Sequence, residues 1–187
     1  GQERYADVYS NAVRPFVYRR YLDYGVFESL REMKGLIERE VERRELADDV
    51  KLGPGGIREI EFIVQSFQLL RGGQYRRLQT PSLFTALPLL NHNKYLPLDT
   101  VNELRAAYVF LRRLENRLQM LADNQTHRLP KDDLGRERIA RAMGFETWPA
   151  LIAELDRHRE RVSRHFKSVA FGGATSGTES EVMVDLE

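Results

Sequence analysis

The chain has 187 residues, 42% hydrophobic and 30% charged, with a net charge of +1 and no cysteine. That is enough chain for one domain with its own core. The composition excludes disulfides and thiolate metal sites, contains no apolar run near the roughly 20 residues that cross a bilayer, and lacks the charge of a dedicated nucleic-acid binder. Removing the four acids Glu179, Glu181, Asp185 and Glu187 from the total of +1 leaves +5 on residues 1–171, which is only mildly basic. Residues 172–187 are Gly/Ser/Thr-rich and read as a flexible or vector-derived tail. The polar start, without a secretory pattern, and the missing cysteines lead us to expect a cytoplasmic protein.

Taken in order, Tyr5 to Val13 predicts a helix that Pro15 interrupts and restarts. Tyr24 to Glu45 predicts a long helix, because Val26, Leu30, Met33, Ile37 and Val41 recur at helical spacing. Its other face, with Glu38, Arg39, Glu40, Glu42, Arg43 and Arg44, is that of a solvated surface laced with opposite-charge pairs. Val50 to Leu52 is a short extended piece before a glycine turn. A helix follows from about Ile57 to Arg71, stopped by Gly72-Gly73. Thr80-Pro81-Ser82 opens a shorter helix over Leu83–His92. Pro97-Leu98-Asp99 precedes a long one from about Thr100 to Ala122, with a core stripe of Leu104, Tyr108, Leu111, Leu118 and Leu121 and with Leu114 beside it. Lys131-Asp132-Asp133 starts a helix that runs to Met143 and is capped by Gly144. Thr147-Trp148-Pro149 starts the last, which continues to about Phe171. With no alternating strands, the fold class is all-α, a helical bundle of about six to eight helices over residues 1–171.

The segment Lys51-Leu-Gly-Pro-Gly-Gly-Ile-Arg-Glu-Ile-Glu-Phe62 carries the most chemistry. Gly53, Pro54, Gly55 and Gly56 must turn, and a helix opens at once behind them. A helix N-terminus presents free N–H groups and partial positive charge, so Gly55 and Gly56 could let an anion approach the backbone. Arg58 adds a cationic fork suited to phosphate or carboxylate. The alternative is that the glycines only turn the chain and Arg58 pairs with Glu61 on the surface. Arg58, Glu61, Gln65 and Gln68 form one polar stripe on an otherwise apolar helix. A second stripe, Arg112, Glu115, Asn116, Gln119 and Asp123, leads into Gln125-Thr-His127 and is expected to be a buried hydrogen-bond network. His92, His127, His158 and His165 lack zinc-ligand spacing, so no metal site is expected. Trp148 is expected to anchor the core.

Lys51–Phe62 with Ile63-Val-Gln-Ser-Phe-Gln-Leu-Leu-Arg-Gly-Gly73, Arg14-Pro-Phe-Val-Tyr-Arg-Arg-Tyr-Leu-Asp23, Tyr108-Val-Phe-Leu-Arg-Arg-Leu-Glu-Asn-Arg-Leu-Gln119 and Gln125-Thr-His-Arg-Leu-Pro130 together resemble glutamine synthetase adenylyltransferase/adenylyl-removing enzymes. The resemblance spans nearly everything from Arg14 to Phe171. In that family each half pairs a nucleotidyltransferase domain with a helical domain, and this chain resembles the helical domain. Ile57, Arg58 and Glu59 in the glycine motif resemble the N-terminal, adenylyl-removing half. The uridylyltransferase that modifies the PII protein is a more distant relative.

The resemblance implies partners: glutamine synthetase, the PII protein and a preceding nucleotidyltransferase domain, with no nucleic acid and no membrane. It implies Mg²⁺ and ATP or ADP in that preceding domain. The acids that would hold Mg²⁺ follow a Gly-Ser turn in an Asp-x-Asp pattern, which this chain lacks, so no catalytic residue is expected here and the chain alone should be inactive. Lys51, Gly55, Gly56, Arg58, Glu59 and Glu61 are the candidates for phosphate, nucleotide or interdomain contact. Arg112, Glu115, Asn116 and Gln119 are the candidates for the structural network.

Overall fold

The computed structural model describes residues 2–18, 24–43, 46–122 and 126–169. Seven α-helices occur among them: α1 Gln2–Val17, α2 Tyr24–Arg43, α3 Ile57–Arg71, α4 Leu83–His92, α5 Leu98–Ala122, α6 Asp133–Met143 and α7 Trp148–Ser168. Short 3-10 turns stand at Leu46–Asp48 and Arg76–Leu78. The β structure among the described residues is one antiparallel bridge, Asp49 to Arg128. The expected all-α bundle is therefore present. No described helix is long and apolar enough to cross a membrane.

The long α5 is the axis of the bundle, packing against α3, α4, α6 and α7, while α3 also packs on α4 and α7. The reason lies in α5's stripe. Leu104, Leu111, Leu114 and Leu118 are buried, facing Ile57, Ile60, Ile63 and Val64 of α3 and Leu155, Val162 and Phe166 of α7 in one continuous apolar cluster. Burying each such side chain is worth about 1.5–3 kcal/mol. Phe62 meets Phe166 edge-on at 5.5 Å, fixing α3 against α7. Trp148 packs against the same cluster, under the Arg136 guanidinium.

The helix ends follow the local chemistry. Asp132 Oδ1 accepts the Gly135 N–H at 2.7 Å to start α6, and Gly144, at φ 88°, ends it. Thr147 Oγ1 accepts the Ala150 N–H to start α7. α7 ends at Ser168, and the expected continuation through residues 170–171, like the tail 172–187, lies outside the described residues.

Four expectations need correction. Val50 to Leu52 is a turn and not an extended piece, because the Lys51 and Leu52 N–H groups fold back onto Asp49 Oδ1. Pro15 does not interrupt α1, which runs through it to Val17; so near the helix end a missing N–H costs a single backbone hydrogen bond. Met33 is 52% exposed. α2 touches the bundle along Leu30, Lys34 and Ile37, with the Lys34 ammonium donating to the Lys167 carbonyl at 3.1 Å, which turns Met33 past the edge of the buried face. Leu121 is 38% exposed, because the buried stripe of α5 ends at Leu118, before the helix does. The paired, solvated face of α2 is seen in Arg43 and Glu40, 3.0 Å apart.

Candidate functional site

The glycine segment is held from inside. Asp49 Oδ1 accepts the N–H groups of Lys51 at 2.9 Å and Leu52 at 2.8 Å, and the Asp49 carbonyl accepts the Gly53 N–H. Gly56 donates to the Gly53 carbonyl, Ile57 to Val50 and Arg58 to Lys51, so α3 begins on carbonyls that the preceding turn supplies. Gly55, at φ 65°, donates its N–H to the Glu59 carboxyl within the first turn. The amides of Gly55 and Gly56 are thus buried and engaged within the chain, and what reaches the surface here are side chains.

The need for glycine is steric. A Cβ on Gly55 would lie 2.5 and 2.6 Å from the Cα and carbonyl carbon of Arg159 in α7, and closer still to its carbonyl oxygen. The loop and α7 meet backbone to backbone. Arg159 completes the junction, its guanidinium donating to the Ala47 and Asp49 carbonyls at 2.8 Å each. Burial holds the Arg159 guanidinium below its ordinary range. Val50 N–H to the His127 carbonyl and Leu129 N–H to the Asp48 carbonyl tie the same segment to residues 126–130.

The α3 acids Glu59 and Glu61, two residues apart, face opposite ways. Glu59 turns inward toward α7, within 3.4 Å of Ser163 Oγ, and burial pushes its carboxyl up to about 7. Glu61 faces outward and accepts the Tyr108 hydroxyl at 3.3 Å, while Arg112 stacks over the Tyr108 ring at 5.6 Å. Burial, first of all, raises the Tyr108 hydroxyl above its ordinary value. Arg58 is exposed and has no hydrogen-bond or ion-pair partner among the described residues, so the alternative Arg58–Glu61 pair does not form.

At the centre of this face is Glu115. Its side chain is 4% exposed and meets three cationic or imidazole groups from three segments: Arg112 Nη1 at 2.6 Å, His127 Nδ1 at 3.1 Å and Lys51 Nζ at 3.6 Å. Arg112 and Glu115 pair, and the contacts of Glu115 run on to Lys51 and His127. Asn116 is exposed and Gln119 half-buried, and neither has a hydrogen-bond partner among the described residues. Nor does the α3 stripe act as a unit. Arg58, Glu61, Phe62 and Gln65 line a cleft of about 460 Å³ against Met33, Leu36, Ile37 and Glu40 of α2, whereas Gln68 is buried and donates to the Leu78 and Thr80 carbonyls at 2.7 Å.

The structure thus gathers Lys51, Glu61, Tyr108, Arg112, Glu115 and His127 on one face beside the glycine loop, with Arg58 on the adjoining cleft, and places Glu59 on the far side. Sequence reasoning missed His127 and Tyr108 as members. His127 follows the second polar stripe closely, and Tyr108 heads it, which were the available signals. Among the described residues no three His, Asp or Glu side chains converge as metal ligands. Elsewhere, His165 Nε2 lies 2.6 Å from Glu103, and its hydrogen bond holds the Glu103 carboxyl below the usual range. His158 stacks on Phe110 at 4.7 Å, and burial lowers its imidazole.

The helical bundle carries a glycine turn beside a face that holds Lys51, Arg112 and His127 around Glu115. The chain belongs to the family described as GlnD PII-uridylyltransferase, which it matches over residues 31–170. Over 158 residues, 84% of the chain, it is 54% identical to the bifunctional glutamine synthetase adenylyltransferase/adenylyl-removing enzyme of Thioalkalivibrio sulfidiphilus. It spans 16% of that protein's length.

Proposed function

We propose that this chain is the helical domain of a glutamine synthetase adenylyltransferase/adenylyl-removing enzyme, from its deadenylylating half. The observation that carries the reading is 54% identity over 84% of the chain. The glycine motif with Ile57, Arg58 and Glu59 supports the choice of half. In this reading a nucleotidyltransferase domain elsewhere in the gene product binds the nucleotide with Mg²⁺, and this domain forms one wall of the site, meets glutamine synthetase and responds to the PII protein in regulating nitrogen assimilation.

The reaction is phosphorolysis. An oxygen of inorganic phosphate attacks the phosphorus of the AMP–tyrosine linkage, the bond from phosphorus to the tyrosine oxygen breaks, ADP forms, and the released phenolate takes up a proton. The residues of this chain contribute charge and orientation. Lys51 and Arg58 reach the surface beside the loop and supply permanent positive charge for phosphate. Glu61 fixes the Tyr108 hydroxyl, and Tyr108 supports Arg112. The loop glycines serve by packing, Gly55 against the backbone of Arg159 in α7 and Gly56 against the backbone of Lys51.

The test is phosphate-dependent ADP release from adenylylated glutamine synthetase by the full-length gene product, comparing wild type with Lys51→Ala and Arg58→Ala. A rise in the phosphate KM of about tenfold in either variant, with the fold retained, is expected. Rates and KM unchanged in both would remove the face from the active site. A second reading, a PII-uridylyltransferase-like domain, draws on the family match; release of UMP from uridylylated PII in place of ADP would select it.

A further inference from the structure

We propose that Glu115 is a positioning residue that holds Lys51, Arg112 and His127 as one preset cationic face for an anionic phosphoryl group. The inference rests on the function proposed above and deepens it.

Glu115 is unlike the other carboxylates of the described surface pairs. Glu137, paired with Arg141 at 2.8 Å, is 57% exposed at the side chain, whereas Glu115 is 4% exposed. A carboxylate so placed survives only with its charge compensated and its oxygens partnered. Its compensation exceeds what one charge needs. Two permanent cations and an imidazole converge on it, one oxygen facing Arg112 and the other shared by His127 and Lys51. The inner ends of the cations are neutralised, and their outer parts remain accessible, with Lys51 36% and Arg112 44% exposed at the side chain. Glu61, bonded to Tyr108 and also acting on Arg112, offsets part of that charge and Arg58 on the adjoining cleft adds to it, so an anion would meet the accessible ends of Lys51, Arg112 and Arg58.

The three partners also come from three places: the glycine loop, α5 itself and the segment after α5. A lysine is a flexible point charge, and ordering it at the moment of binding carries an entropic penalty. A buried anchor sets its position beforehand. Glu115 touches no substrate in this arrangement and acts through Lys51 and Arg112.

The test compares Glu115→Gln, Lys51→Ala and the double variant in the full-length gene product, with Glu137→Gln as a control in an exposed pair. Phosphate KM, KM for the adenylylated protein and kcat are measured separately. The expectation for Glu115→Gln is a phosphate KM raised about tenfold, with kcat and the other KM within about twofold, and a double variant no worse than the more severe single one. A phosphate KM unchanged in Glu115→Gln while Lys51→Ala raises it, or strictly additive effects, would make Glu115 a structural ion-pair member and overturn the inference alone. Lys51→Ala and Arg58→Ala both without effect would remove the face from the active site, and this inference with it. Should Glu115→Gln fail to fold by circular dichroism, Glu115→Asp asks the same question: it keeps the buried charge but draws it beyond reach of Lys51, so the same rise in phosphate KM is expected, and its lack refutes the role.

Discussion

Gly55→Ala offers the sharpest test of how the loop is built. Gly55 combines φ 65° with backbone on its open side: a Cβ there meets the main chain of Arg159, which cannot swing away as a side-chain tip could. The left-handed conformation alone costs a non-glycine residue about 1–2 kcal/mol. Forcing a methyl group into a packed junction adds about 1–3 kcal/mol, so the total is roughly 2–5 kcal/mol. Gly144 separates the two effects. It also has positive φ, 88°, but nothing lies within 4 Å of its missing Cβ, so Gly144→Ala should show only the conformational part, about 1–2 kcal/mol. Urea unfolding of the 187-residue chain, followed by circular dichroism with a shared m-value, gives both numbers. Equal losses in the two variants, within about 0.5 kcal/mol, would refute the steric argument.

Two further outcomes follow from the same junction. The Glu59 carboxyl lies at about 7 in the folded chain against an ordinary 4.5, so the proton is held more tightly folded than unfolded. Stability from this group is complete below about 4.5 and is lost as pH rises through 7; the loss from pH 5 to pH 8 is roughly 2–3 kcal/mol, and Glu59→Gln should flatten that part of the urea midpoint against pH. For Arg159→Met, two charge-assisted hydrogen bonds at 2.8 Å disappear, for about 2–4 kcal/mol, and Arg159→Lys should restore less than half because an ammonium does not span both carbonyls. Amide hydrogen exchange at Gly53, whose N–H is bound to the Asp49 carbonyl that Arg159 holds, should quicken in both variants.

Local chemistry made most of the fold legible. Glycine at positions 56 and 72 bounded α3, Asp132 and Gly144 bounded α6, and the leucine stripe marked the buried face of α5. Where the stripe method failed, at Met33 and Leu121, the period was right but the partner surface was smaller than the helix. The candidate face was legible only in part. Lys51, Arg112 and Glu115 each stood out, yet what joins them is a tertiary accident of chain crossing that no spacing rule encodes. Glu59 and Glu61 look alike in sequence. One faces α7 and the other Tyr108, and only the docking of α3 decides which acid is buried. The glycines invited an anion-binding interpretation; close contact with Arg159, in α7, gives them a packing reason instead.

The tie between Asp49 and Arg159 closes a span of 110 residues. Closing so long a loop carries a conformational entropy penalty that grows with the span and must be met before the contact gives any return. The helices can form their local hydrogen bonds early, but the glycine segment finds its resting place only once α7 has docked. Interactions acquired after the rate-limiting step slow unfolding and leave refolding unchanged. If the junction under Lys51 forms that late, Arg159→Met should speed unfolding and leave refolding unchanged in a urea chevron, and a slowed refolding arm would refute the order.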